Sequence, residues 1–167
     1  MVRSLTAADR SDFRNLRQLA LTVNPDDFLV TAVEERAIPR LSIEAALEQA
    51  NERNFFLGEF AGQPAALVGI AGLITSDLLK TRHSGRLTSV FVHPAHRSRG
   101  IARMLIERVL SLAKTGGLES VRLEVIADNG HAVALYESLG FIPYGREPGA
   151  YREGDRSWDL LLMTRDL

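Results

Sequence analysis

The sequence contains no cysteine, which excludes disulfide frameworks, thiolate zinc sites and thiol nucleophiles and leaves the redox compartment open. Aromatic residues are sparse, at 7% with a single tryptophan, and 20 basic residues nearly balance 21 acidic ones for a net charge of −1. Such a chain has no general attraction for nucleic acid or an anionic membrane, so an anion site has to be a local cluster. No run approaches roughly 18 uncharged apolar residues, and the start carries Arg3, Asp9, Arg10 and Asp12 where a signal peptide has an apolar stretch. A cytoplasmic protein is expected. What is present is an ordinary globular balance, 46% hydrophobic and 25% charged over 167 residues, enough for one domain without cross-links. No repeat, low-complexity segment or linker divides residues 1–167, which are expected to form a single domain.

The hydrophobic period organises the chain. Val2 to Leu5 is a short strand, Thr6 before Ala7, Ala8 and Asp9 is an N-cap with an acidic first turn, and Phe13, Leu16, Leu19 and Ala20 form one helical face ending at Asn24-Pro25. Residues 25–39 stay ambiguous, and Ser42 caps a second helix over Ile43 to Ala50. Asn54 to Phe60 and Pro64 to Thr75 read as a hairpin, in which Gly69 and Gly72 mark either a bulge or the close approach of another backbone. A polar stretch leads to a strand over Leu87 to His93, closed by Pro94. Gly100 to Lys114 is a helix stopped at Gly116-Gly117, Ser120 to Ile126 an alternating strand, and Asn129 to Leu139 a helix stopped at Gly140. Phe141 to Arg146 and Ser157 to Asp166 are closing strands. The order β-α-α-β-β-β-α-β-α-β-β describes one mixed α/β domain.

The informative run is VFVHPAHRSRGIARMLIERVL. Arg97, Arg99 and Arg103 crowd a helix N-terminus, where the macrodipole disfavours a cation by roughly 0.3–1 kcal/mol. Free amides of the first turn beside guanidiniums suit a phosphate, and Gly100 lets the backbone come close. The bland alternative is a solvated face on an ordinary strand-to-helix turn. The run lacks the lysine and hydroxyl of a Walker loop and the three glycines of a dinucleotide fingerprint.

The string from Val92 and Pro94 through Arg97, Arg99, Gly100, Ile101 and Ala102 resembles the coenzyme A motif of the GNAT superfamily, written Q/R-x-x-G-x-G/A, with Arg97, Gly100 and Ala102 in its three positions. A second block, LEVIADNGHAVALYESLGF, is similar to the strand and helix that follow in that superfamily, most like its ribosomal-protein alanine acetyltransferase branch. The two blocks cover residues 87 to 141. The resemblance implies a mixed, mostly antiparallel sheet flanked by helices and an acetyl-CoA-dependent N-acetyltransferase. It places the coenzyme's pyrophosphate on Arg97, Ser98, Arg99, Gly100, Ile101, Ala102 and Arg103, and its pantetheine arm along Val90, Phe91 and Val92 with a bond to Asn129. No metal is implied.

The resemblance also makes Glu124 the general base and Tyr136 the acid that protonates the leaving thiolate; Glu59 and His93 are weaker alternative bases, each read first as a surface residue. The competing structural readings are a solvated Glu124 paired with Arg122 and a core Tyr136 with a satisfied hydroxyl. Asp26, Asp27, Glu34 and Glu35, with Tyr144, Tyr151 and Trp158, would suit a cationic amine on a small molecule, peptide or protein. Neither nucleic acid nor membrane is expected as a partner, and a homodimer is left open. An acyl-CoA sensor without turnover is the alternative function, disfavoured by the presence of both Glu124 and Tyr136, and a phosphate-loop nucleic-acid binder is disfavoured by the net charge.

Overall fold

The computed structural model describes residues 1–167, apart from the side chain of Ser42. Strand β1 (Val2–Ser4) hands over to helix α1 (Arg10–Val23) through a single turn of 3-10 helix. The Asp9 carboxylate anchors that turn, accepting from the Thr6 amide at 2.9 Å and from the Arg3 guanidinium at 2.6 and 2.8 Å. Helix α2 (Ala32–Ala37) lies inside the stretch that the sequence left ambiguous. Thr31 and Glu34 start it with a reciprocal capping box, the Glu34 carboxylate accepting the Thr31 amide at 2.8 Å.

The second helix expected over Ile43 to Ala50 is only α3 (Ala45–Glu48), preceded by a 3-10 turn, and the proposed Ser42 cap lies outside the described residues. Fully buried Glu44 accepts from the Leu41 amide and from Arg14, which pins the turn before α3. Beyond it the Asn51 side chain accepts from the amides of Arg53 and Asn54 and draws the backbone out of helix.

Strands β2 (Phe55–Ala61), β3 (Ala66–Thr75), β4 (Ser84–Val92), β5 (Ser120–Ile126), β6 (Ile142–Glu153) and β7 (Arg156–Asp166) complete a 7-stranded sheet in the order β1-β2-β3-β4-β5-β7-β6. The β4–β5 pair is parallel and the others antiparallel. The expected element order stands apart from the additional short helix. Strand β6 runs past its expected end at Arg146 because it is an edge strand, and the register shift between Glu147 and Tyr151 absorbs Pro148 and Gly149.

Helix α4 (Ile101–Thr115) lays Leu105, Ile106 and Val109 over Leu73, Leu87, Val121 and Leu123 on one face, joined by α5 (Gly130–Ser138) through Tyr136. On the opposite face α1 packs Phe13, Leu16 and Ala20 over Phe56, Ile70 and Phe91. Both alternatives hold at the glycines of β3: the register slips beside Gly69 against β2 and between Ile70 and Gly72 against β4, and both glycines are also points of close approach, chiefly to side chains. A Cβ on Gly72 would meet the Phe56 ring at 2.2 Å, and one on Gly69 would meet Ile101 at 2.9 Å. Gly69 thereby seats the first turn of α4 directly on the sheet.

Candidate functional site

Strands β4 and β5 pair only at Ser84–Ser120, Gly85–Val121 and Arg86–Arg122. Beyond that point β4 stays with β3 as far as Val92, while β5 stays with β7 as far as Ile126. The two strands therefore part, and the β5-facing edge of β4 from Leu87 to Val92 has no ladder partner among the described residues. The register against β3 also slips between Ile70 and Gly72, where Ser89 takes φ 54°. This bulge is braced from α1. The Arg17 guanidinium donates to Ser89 Oγ at 2.8 Å and is held by a buried ion pair with Glu35 of α2.

The basic loop leaves the open end of this cleft. Ser98 at φ 60° and Gly100 at φ 75° are both left-handed, a local arrangement that turns successive amides toward one side. A Cβ on Gly100 would meet nothing within 4 Å, so its backbone is approachable, and the 15-residue α4 begins at the next residue. The three arginines do not all stay at the helix end. Arg97 donates back to the Val92 carbonyl at 3.1 Å and to Asn24 Oδ1 at 2.7 Å, Arg103 donates to Ser138 Oγ at 2.7 Å on α5, and Arg99 donates to the Ala95 carbonyl at 3.4 Å.

Across the cleft, Asn129 caps α5 by accepting the Ala132 amide at 3.1 Å. Its Nδ2 donates to Asp27 Oδ1 at 2.9 Å. Residues 24–27 thus bridge the mouth from Arg97 on one side to Asn129 on the other. Tyr136, 9% exposed, packs its ring edge-on against Phe141 with centroids 5.9 Å apart. Burial, reinforced by the negative charge of Asp27, pushes its phenol up to about 12. No described residue makes a hydrogen bond to that hydroxyl, so the core reading with a satisfied hydroxyl does not describe it.

Glu124 projects on the opposite face, that of α1, because it shares the parity of Arg122 on β5 while Leu123 and Val125 face α4. It forms no ion pair with Arg122 among the described residues. It lines a 390 Å³ pocket with Arg86, Arg122, Thr81 and Tyr144. Tyr151 borders the same charges: burial raises its phenol first, Glu124 raises it further and Arg86 opposes.

The acidic cluster expected to meet a cationic amine is engaged within the protein. Asp26 pairs with Arg156 at 2.6 Å, Asp27 with Asn129, Glu34 with Thr31 and Glu35 with Arg17. Trp158 lies under the Arg156 guanidinium at 4.5 Å. Glu59 holds the N-terminal ammonium at 2.7 Å on β2, and His93 lines a separate groove with Asp12 and Asn15. The sequence reading missed Arg17, Ser89, Arg86 and Asn24. Arg17 had a signal, standing one turn after Phe13 on the apolar face of α1, whereas Ser89 had none.

Among the described residues no helix is long and apolar enough to cross a membrane. A sequence model of the Acetyltransferase (GNAT) family matches residues 13–141. The chain is 38% identical over 120 residues to N-alpha-acetyltransferase RimI of Mycobacterium tuberculosis, covering 71% of this chain and 70% of that protein. It is 46% identical over 55 residues to the ribosomal protein bS18 alanine N-acetyltransferase of Salmonella typhimurium, covering 33% of this chain and 37% of that one. The matched stretch spans only 31% of an uncharacterized Mycobacterium leprae protein, ML0378, to which it is 36% identical. In fold, the chain superimposes on the ribosomal-protein-alanine N-acetyltransferase of Brucella melitensis with a TM-score of 0.78 at 24% identity, over 100% of this chain and 99% of that one.

Proposed function

Since the chain belongs to the GNAT acetyltransferase family, we propose that its 167 residues form a single catalytic domain that transfers the acetyl group of acetyl-CoA to a primary amine by direct attack on the thioester. The observation that carries this reading is the parting of β4 and β5, with Tyr136 entering from the α4 face and Glu124 from the other. An amine and an acyl donor can meet there from opposite sides of the sheet.

The residues fit the coenzyme. The exposed loop through Ser98 and Gly100, with the free amides of α4 behind it, suits a pyrophosphate on Arg97 through Arg103. The unpaired edge at Val90, Phe91 and Val92 suits an amide-bearing arm, and Asn129 would trade Asp27 for that arm. When bound, acetyl-CoA supplies an activated acyl carbonyl and a thiol leaving group. Backbone amides at the Ser89 bulge, fixed through Arg17, are the donors available to polarise that carbonyl.

Glu124 receives the proton of the acceptor, directly or through water. For an α-amine with a pKa near 8, deprotonation at neutral pH costs about 1 kcal/mol, against roughly 4–5 kcal/mol for a lysine. A relative named for N-alpha-acetylation supports an α-amine acceptor, which an exposed carboxylate can serve. Tyr136 holds its proton throughout the physiological range because its phenol titrates near 12, so it is available as the acid. Thiol release from acetyl-CoA with a panel of primary amines tests the proposal: amine-dependent release is expected, and none with any amine would refute it.

A further inference from the structure

Arg86 and Arg122 are direct partners in the parallel β4–β5 ladder, at the closed end of the cleft and on the acceptor face. Like charges directly opposite one another destabilise a sheet, yet neither guanidinium has a carboxylate within ion-pair distance among the described residues. Among the described residues, the only carboxylate lining the pocket with them is Glu124. Glu124 stands two residues along β5 from Arg122, roughly 7 Å by strand rise. Tyr144 lines the pocket beside them, and Tyr151 lies close enough to feel Arg86, Glu124 and Glu147. The pocket lining therefore presents two cations side by side and one anion two residues along β5, the complement of a molecule with one ammonium and a nearby anion.

We propose that Arg86 and Arg122 form an anion subsite for the acceptor, so that the preferred substrate is an amine carrying a carboxylate a few bonds away, its ammonium at Glu124 and its carboxylate across the arginine pair. The inference rests on the acetyltransferase reading and narrows it, and it reverses the cationic acceptor that the sequence suggested. A planar guanidinium pair holds a carboxylate by parallel charge-assisted hydrogen bonds. A polyamine or a lysine-rich peptide would instead meet two like charges. The carboxylate can belong to a free amino acid or to an acidic residue beside a peptide N-terminus, which share this chemistry.

Initial rates of acetyl transfer to phenylalanine and to phenylalaninamide, in wild type and in the Arg86→Gln, Arg122→Gln double variant, test it. The ratio of kcat/KM for the acid over the carboxamide is expected to fall at least tenfold in the variant, carried by KM. Comparing ratios between proteins cancels the different amine pKa values. Alanyl-aspartyl-amide and alanyl-lysyl-amide form a second arm: a tenfold arginine-dependent preference for the aspartyl peptide, with free phenylalanine inactive, puts the carboxylate on a peptide, and the reverse puts it on a free amino acid. An unchanged ratio in both arms of a double variant that still binds acetyl-CoA would overturn the subsite, as would a wild-type preference for the lysyl peptide. Acetyl-CoA binding without thioester cleavage on any of the four amines would overturn the subsite, and the transferase reading would fall with it only if the wider panel of primary amines also released no thiol.

Discussion

Tyr136→Phe separates chemistry from packing more cleanly than any other substitution in the cleft. The phenol makes no hydrogen bond to any described residue, whereas the ring is 9% exposed and lies edge-on to Phe141. Removing the oxygen therefore breaks no bond and opens no void under the ring. Deleting a buried, bonded hydroxyl costs about 1–3 kcal/mol, and for a domain of this size each kilocalorie moves the thermal midpoint about 2–4 °C. Here the expected shift is below about 2 °C, because there is no partner to strand. Turnover should fall by about 10²–10⁴-fold, the usual worth of a general acid and roughly 3–5 kcal/mol in the barrier. Acetyl-CoA affinity should stay near wild type, since the proton is required only as charge develops on sulfur. With the phenol near 12, wild-type kcat should show no alkaline loss from this group below about pH 11. The assay is steady-state thiol release and a thermal melt on one preparation. Wild-type turnover per folded molecule would refute the assignment.

Three further outcomes follow from particular contacts. Gly100→Val, with φ 75° and open space around its Cβ, should lose about 1–2 kcal/mol from backbone strain and weaken acetyl-CoA binding in a titration; unchanged affinity in the folded variant would move the pyrophosphate elsewhere. Arg17→Met leaves Glu35 buried and unpaired, so a loss of about 3–5 kcal/mol in a denaturant melt is expected, largely recovered by adding Glu35→Leu. Asp9 and Glu44 are held below the ordinary carboxylate range, chiefly by the side-chain hydrogen bonds from Arg3 and Arg14 respectively. Their stabilisation is thus full above the unfolded pKa near 4 and is lost as pH falls through the folded values, so the midpoint should drop on acidification below about pH 4, less steeply in Asp9→Asn.

Local sequence was sufficient wherever a short-range rule had no competitor. The period of α4, the alternation of β5 and the stops at Gly117 and Gly140, both left-handed, were legible because each depends on neighbours a few residues away. The loop from Arg97 to Gly100 and the block from Asn129 to Phe141 likewise declared the family, because anion-binding backbone and helix caps are encoded by contiguous residues. Tertiary structure decided the rest. Strand β6 ignores Pro148 because it lies at the sheet edge, a position no local pattern reveals. The acids at 26, 27 and 35 read as a site for a cation until the fold brought Arg156, Asn129 and Arg17 to them, whereas Glu34 is taken locally by Thr31 in its capping box. Arg86 and Arg122 stand 36 positions apart in the chain, and only the parallel register of β4 and β5 sets them face to face. Charge type is written in the sequence, but which charges are neutralised and which are left for a ligand depends on distances that only the packed chain defines.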